Sequence, residues 1–427
     1  MNIPRILVLS FLASVVLGVS ATRPTVVRAE PRLSFRTATI QLPLGGAEIV
    51  AASPNGKLAV VTQSGGKTVQ FLKLPKGKTK KRIDVGAIGE PTSAVFIDDR
   101  YVFIVCKDDP DNGTLVVGDS KKGRIVSQTS IGIGPDAIAV DRGRRLAVIA
   151  LEDEESEVED PTACPAENTR PGAVAIVDYS AGTGTGQMQV TTVPIDLSEL
   201  PGAGCPGDPQ PEYVAIDPAA GIAFVTLQEN NAIAVIDLTG RTVVSVWDGG
   251  TTEHLADAMD DGVASITESL VGRREPDGVA LSPDGRYLLT ADEGDTGITP
   301  DGAFGGGRTM SVWDAVTGEL LTDTGDAIER ALVDAGFFDD GRSDRRGPEP
   351  EGIVVFVIDG MTIAAVGIER GRSVIFFDVS NPLEPVIVDV VGVGTEPEGL
   401  AWVPSTRQLL VANEISGNVT AIELTNP

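Results

Sequence analysis

One short string returns along this chain and limits it to a fold built by repetition: a proline, an acid, then a small or apolar residue at the head of an apolar run. It stands as Pro135-Asp-Ala-Ile, Pro211-Glu-Tyr-Val, Pro276-Asp-Gly-Val, Pro350-Glu-Gly-Ile and Pro397-Glu-Gly-Leu. Pro91-Thr-Ser-Ala lacks the acid, and Ala47-Glu-Ile-Val lacks the proline. In most units the apolar run leads into a tight turn such as Ser53-Pro-Asn-Gly or Ser282-Pro-Asp-Gly, then a second apolar run such as Tyr287-Leu-Leu-Thr-Ala. Third and fourth runs follow, as in Ala232-Ile-Ala-Val-Ile-Asp and Thr242-Val-Val-Ser-Val. Four strands per unit, repeated, is the pattern of a β-propeller blade.

Seven units therefore predict an all-β, seven-bladed β-propeller. The last unit ends at Leu424 after only three strands, and a ring cannot leave that edge unpaired. The strand-like stretch Ser34-Phe-Arg-Thr-Ala-Thr-Ile-Gln-Leu precedes the first unit and is expected to close the circle. Uneven spacing between the prolines places insertions at 152–171, 181–209, 249–274 and 294–307, with short helical patterns near 252–271 and 326–335.

Because the first two strands of a unit form a hairpin, the proline and the end of the second strand emerge on one face. Pro135 to Glu152, Pro276 to Glu293 and Pro397 to Glu414 are each 17 residues apart, as is Pro91 to Asp108; Glu229 and Glu369 follow with small offsets. Two rings of carboxylates are thus expected around one mouth. Glu48, Asp136, Glu212, Asp277, Glu351 and Glu398 lie near the axis, with Asp108, Glu152, Glu229, Glu293, Glu369 and Glu414 outside them. Thr92 and Ser64 break the pattern. Two carboxylates about 4 Å apart repel by roughly 4 kcal/mol at an effective dielectric near 20. Backbone amides, the arginines at 273, 274, 345, 346 and 370, or a hard cation such as calcium are the candidates to offset this. The alternative is that each acid only caps the contact between neighbouring blades.

The candidate cation ligands are Asp277, Glu293, Glu351, Glu369, Glu398 and Glu414. Arg345, Arg346 and Arg370 are the candidate ligand- or phosphate-binding groups, since the 341–352 loop sets arginines directly before Glu349 and Glu351. The loop at 292–301 is acidic but lacks the spaced acids and final glutamate of an EF-hand, and reads as a solvated turn.

With 34 Lys and Arg against 61 Asp and Glu, the formal net charge is −27. Such a balance disfavours nucleic acid or an anionic membrane as the main partner and favours cations or basic partners. Residues 1–29 read as a signal peptide and short leader: a positive start at Arg5, an apolar run from Ile6 to Val19, and small residues ahead of cleavage after Ala21 or Ala29. Residues 30–427 are expected to form one domain, secreted or periplasmic, without insertion in a membrane after cleavage. A transmembrane anchor is the weaker reading of so short a run.

Three cysteines are present. Cys106 closes an apolar strand and reads as a buried free thiol. Cys164 and Cys205, each before a proline in loop-like sequence, are a candidate disulfide pair in an oxidising compartment. One histidine and three cysteines supply no haem or zinc ligand set, and no nucleotide-binding fingerprint or nucleophile elbow occurs.

Several strings in the second half resemble a known family. They are Ala291-Asp-Glu-Gly-Asp, Gly307-Arg-Thr-Met-Ser-Val-Trp-Asp with Thr317-Gly-Glu-Leu, Arg342-Ser-Asp, Gly347-Pro-Glu-Pro-Glu-Gly, Gly367-Ile-Glu-Arg and Leu410-Val-Ala-Asn-Glu-Ile-Ser-Gly. Together, over 275–424, they resemble the choice-of-anchor I family, exported propellers similar to animal mesenchyme-specific cell-surface glycoproteins. The first half resembles the broader YVTN and WD40-like propellers. The resemblance implies an extracytoplasmic propeller and no fixed reaction, although some relatives look like phosphatase or phytase-type propellers. The loop at 295–306 is short for the family, and no attachment segment is expected after Leu424.

Two function classes follow. One is a module that binds an unidentified small molecule or protein, or acts as a scaffold, through an acidic mouth in which calcium is the candidate cation. The other is a metal-dependent phosphoesterase, with carboxylate-held cations and Arg370 with Arg345 or Arg346 on the phosphate.

Overall fold

A computed structural model describes residues 33–108, 111–152, 171–200, 202–294 and 306–426. Seven four-stranded antiparallel sheets make up the chain, and each is one blade. Blades 1 to 6 follow sequence order from inner to outer strand, spanning 47–84, 90–132, 135–194, 214–248, 276–323 and 350–392. The seventh combines Pro397–Val403, Gln408–Asn413 and Asn418–Thr425 with Ser34–Gln41 as its outer strand. That closing strand pairs along its whole length, from Ser34 opposite Thr425 to Gln41 opposite Asn418. The expected seven-bladed ring, closed by the N-terminal strand, is what the chain forms.

The middle strands of each blade are apolar on both faces because both are covered by neighbouring blades. Val102, Phe103, Ile104, Val105 and Cys106 are all fully buried. Alternate residues serve different cores: Phe103 and Val105 pack toward blade 3, Val102 and Ile104 toward blade 1. Outer strands carry fewer buried positions, and their exposed faces form the rim.

The helix expected near 326–335 is present as Ala327–Ala335, burying Ile328, Glu329 and Leu332 and ending at Gly336 in a left-handed conformation. The helical pattern at 252–271 is not a helix. It forms a two-stranded hairpin, Thr251–Ala256 against Glu268–Arg273. Helix-favouring Leu255, Ala256 and Ala258 lose there to tertiary contacts, because Arg274 binds the carbonyl oxygens of Gly249 and Thr251 and pins the two ends of the hairpin together. Part of the expected insertion at 181–209 is also regular structure, since Gln189–Pro194 is the outer strand of blade 3. The acidic stretch from 153 and the loop at 295–305 lie outside the described residues.

Candidate functional site

The innermost strand of a blade is bent where it carries its acid. In blades 1, 3, 5, 6 and 7 the ladder skips between the residue at the proline position and the one three further on, as between Pro350 and Ile353. The skipped residues are the acid and its successor. A bulge of this kind frees a residue from the ladder and re-aims its side chain, and here it turns Glu48, Asp136, Asp277, Glu351 and Glu398 toward the mouth.

The glycine of the recurrent Pro-acid-Gly string has a separate job. A Cβ at Gly278 would lie 2.2 Å from the Glu351 carbonyl oxygen, one at Gly352 2.1 Å from that of Glu398, and one at Gly399 2.7 Å from that of Glu48. Each glycine lets its blade press against the backbone of the next blade's ring acid. Blade 2 makes the equivalent contact with no acid at all: the Thr92 hydroxyl donates to the carbonyl oxygens of Pro135 and Asp136 at 2.9 and 3.0 Å. Stacking therefore requires close backbone approach, not a carboxylate.

The acids surround a cavity of about 230 Å³. Of the expected ligands, Asp277, Glu293, Glu351 and Glu398 line it, together with Asp136, Glu152, Glu212 and Glu229. Glu369 and Glu414 do not line it. Asp277, Glu293 and Glu351 each bring a carboxylate oxygen within 4.8 Å of the other two, and Glu293, Glu349 and Glu369 do the same. Glu293 belongs to both trios and accepts a hydrogen bond of 2.8 Å from Gln228 Nε2. Glu351 Oε2 is sealed from solvent and has no hydrogen-bond partner among the described residues.

Burial and mutual repulsion raise the affinity of this ring for protons. Burial first, then Glu293 and Glu398, push the Glu351 carboxyl far above its usual range. Glu398 is shifted likewise by burial and by Glu48. Glu212 is raised by burial, Glu152 and a hydrogen bond shared with Asp277. Glu48 is pushed up to about 8, chiefly by burial, and so is Glu369, which shares a hydrogen bond with Glu349. Only protons or cations can satisfy such a cluster at neutral pH.

Arg370 faces acids on three sides. It binds Glu349 Oε2 at 3.1 Å through Nε, Glu396 Oε1 at 2.7 Å and Glu369 Oε1 at 2.9 Å. Arg342, not Arg345 or Arg346, takes the other oxygen of Glu349, at 2.9 Å from Nε. Arg345 is 68% exposed, with Asp344 at 3.7 Å, and Arg346 is half-buried. The structure thus brings Arg370 to the acids and leaves Arg345 at the surface.

Three contributors are not among the candidate ligands read from the sequence. Glu349 is the acid before the proline; it is fully buried with φ +54°, and Glu275 and Glu396 share that left-handed conformation at the same repeat position. The first glutamate of Glu-Pro-Glu-Gly was the available signal. Tyr213 lines the cavity with a buried hydroxyl that has no hydrogen-bond partner among the described residues. Gln228 stands one residue before the expected Glu229.

Asp292, at the head of the acidic 292–301 loop, accepts hydrogen bonds from Thr290 and Thr309 at 2.7 and 2.5 Å and another from Ser311. It is internal to blade 5. Cys106 is a buried free thiol and Cys205 is disulfide-bonded. Cys164, its expected partner, lies outside the described residues.

The choice-of-anchor I domain model matches residues 48–301 and 301–382. The chain belongs to the choice-of-anchor I family. The match reaches back into the first half, where the sequence alone suggested only generic propeller strings, and it stops short of blade 7. No curated protein sequence matches the chain. Among solved structures, hydrazine synthase of Kuenenia stuttgartiensis is similar with a TM-score of 0.61 at 16% identity, over 90% of this chain and 97% of that one. The RRP9 WD40 repeats give 0.60 at 8% identity over 91% and 97%. The Cps50 (Swd1) propeller of Myceliophteria thermophila gives 0.57 at 11% over 91% and 100%. At these identities the likeness is one of fold.

Proposed function

We propose that this choice-of-anchor I propeller is an exported binding module whose acidic mouth holds a hard divalent cation, calcium foremost, and presents it to a small-molecule or protein ligand. The observation that carries the reading is the trio Asp277, Glu293 and Glu351, one of whose members, Glu351, carries a buried oxygen with no hydrogen-bond partner among the described residues. Calcium takes oxygen ligands at about 2.3–2.6 Å, so oxygens on opposite sides of one ion stand roughly 4.6–5.2 Å apart. Three carboxylate oxygens within 4.8 Å of one another can share one such ion, and calcium accepts an irregular shell of carboxylates, whereas magnesium demands near-ideal octahedral geometry and keeps several of its waters. Thr92 argues against the capping alternative, since a blade closes there without an acid.

Export is supported by the positive, apolar and small-residue order of the first 21 residues and by the disulfide-bonded state of Cys205. Among the described residues no helix is long and apolar enough to cross a membrane.

The phosphoesterase reading requires Arg370 to grip an anion, yet its guanidinium is already taken by Glu349, Glu369 and Glu396. Binding without chemistry is therefore the better account. Elemental analysis of protein purified without chelator, followed by a phosphate-ester panel with and without calcium, tests both. Calcium near one equivalent and no turnover are expected; calcium-dependent hydrolysis lost in Arg370→Ala would replace this reading with the enzymatic one.

A further inference from the structure

The net charge conceals a strong segregation. All ten lysines of the chain fall between Lys57 and Lys122. Residues 57–124 hold 13 Lys and Arg against 8 Asp and Glu, and the rest of the chain holds 21 against 53. The fold assembles the positive stretch on the outside of blades 1 and 2. Lys78–Asp84 is the outer strand of blade 1, exposed at every residue except Ile83, which plugs into the core between the two blades. The hydrogen-bond ladder passes from Thr79 opposite Leu72 to Arg82 opposite Gln70, so a bulge at Lys80 and Lys81 breaks the alternation and leaves Lys78, Lys80, Lys81 and Arg82 exposed together along one short edge. Beside that edge lies the turn of blade 2 that carries Lys121, Lys122 and Arg124, because a Cβ at Gly123 would stand 3.1 Å from Lys81 Cβ and 3.2 Å from the Arg82 carbonyl oxygen. This turn joins third to fourth strand, so it emerges on the face opposite the acidic mouth. Among the described residues, none of these side chains is joined to an acid.

Lysines on outer strands often serve only to block edge-to-edge pairing, but that need is common to all seven blades. The outer strands Gln189–Pro194, Thr242–Asp248, Leu320–Asp323 and Val386–Gly392 contain no lysine or arginine. Edge protection does not explain why one blade carries the ladder.

We propose that this ladder is a docking track for a linear polyanion, specifically an acidic polysaccharide. A strip of exposed cations that runs up the side of the ring, continued by the Lys121–Arg124 turn of the next blade, complements an extended chain with repeating anionic groups. A flat bilayer at the opposite face would meet only the turns, and the strand offers no exposed large apolar residue to insert. The mouth of a second copy is recessed, with Asp277 only 3% exposed, and a rim strand does not reach into it. The acidic remainder of the surface repels a polyanion and so confines it to the track.

The test uses full mature protein and two probes, dextran sulfate and polygalacturonate, titrated by fluorescence anisotropy at low and at near-physiological salt. Wild type is expected to bind both at low salt and to weaken steeply as salt rises. Lys78→Gln/Lys80→Gln/Arg82→Gln should weaken binding at least tenfold and flatten the salt dependence, while Arg330→Gln, a surface cation on the Ala327–Ala335 helix, should leave both unchanged. Lys121→Gln/Lys122→Gln gives a second reading of the track. An unchanged melting temperature in each variant shows that folding is intact. A chelator should not alter polymer binding, which separates this proposal from the cation reading of the mouth. Absence of binding at low salt, or equal loss in Arg330→Gln, would overturn the proposal. So would tighter binding to phosphatidylglycerol vesicles or single-stranded DNA than to either polysaccharide, or a ladder that acts only on self-association.

Discussion

Blades 5 to 7 and blades 1 to 3 solve the same packing problem at the axis with different residues. On the first arc the string is proline, acid, glycine, and each glycine lies against the backbone of the next ring acid. On the second arc Ile49, Ser93 and Ala137 occupy the glycine position, and blade 2 dispenses with the acid in favour of Thr92. Both arcs close. The difference teaches that glycine and threonine serve the contact between blades, whereas the carboxylates are an addition that burial makes costly. Among the described residues, Arg342 and Arg370 hold Glu349 on the first arc. Repulsion there is partly offset, and the remaining unpartnered oxygen belongs to Glu351.

The sharpest way to break this comparison is to exchange the residues after the acids. Gly352→Ala should cost about 3 kcal/mol, because its methyl would meet the Glu398 carbonyl oxygen and the blade must shift. Ala137→Gly, the reverse change on the other arc, should cost under about 1 kcal/mol. Denaturant unfolding of both measures it, and equal losses would remove the distinction between arcs.

Thr92→Val deletes the hydroxyl proton shared between two carbonyl oxygens at the contact between blades 2 and 3 and should cost about 1 kcal/mol without altering any calcium response. Loss of that response in Thr92→Val would tie cation binding to stacking.

A pH series gives the smallest and most distributed effect. Glu48 and Glu369, ordinarily near 4.5, are pushed up to about 8. The folded chain keeps protons there that the unfolded chain has released, so the contribution of these two groups to the stability of cation-free protein is fully present below about pH 4.5 and is lost as pH rises through 8. Calcium should flatten this slope by taking the place of the protons. A cation-free melting temperature that climbs from pH 5 to 8 would contradict the placement of these carboxyls.

The ring and its closure were legible because their signals are local and repeated: seven strand starts, and one orphan strand at Ser34–Gln41 for a blade lacking one. The acids were legible for the same reason. What stayed hidden depends on backbone direction. Nothing in Arg342-Ser-Asp-Arg-Arg says which arginine turns inward, since a short 3-10 turn at Asp340–Arg342 decides it. The left-handed backbone at Glu349 is likewise a tertiary outcome. The hairpin at 251–273 lost its helical pattern to the grip of Arg274, a contact no window of sequence contains. Thr92 appeared only as a break in the pattern, yet its hydrogen bonds to blade 3 are what separate stacking from the role of the acids.

Calorimetric titration of chelator-treated protein with calcium tests the central claim most directly. Wild type should bind about one ion and gain a few degrees in melting temperature at saturating calcium, since only the native state offers the site. Glu351→Gln should weaken binding at least tenfold while leaving the calcium-free protein as stable or more so, because an amide cannot ionise against burial and the neighbouring Glu293 and Glu398. No heat of binding in wild type, or calcium bound equally well by Glu351→Gln, would contradict the account.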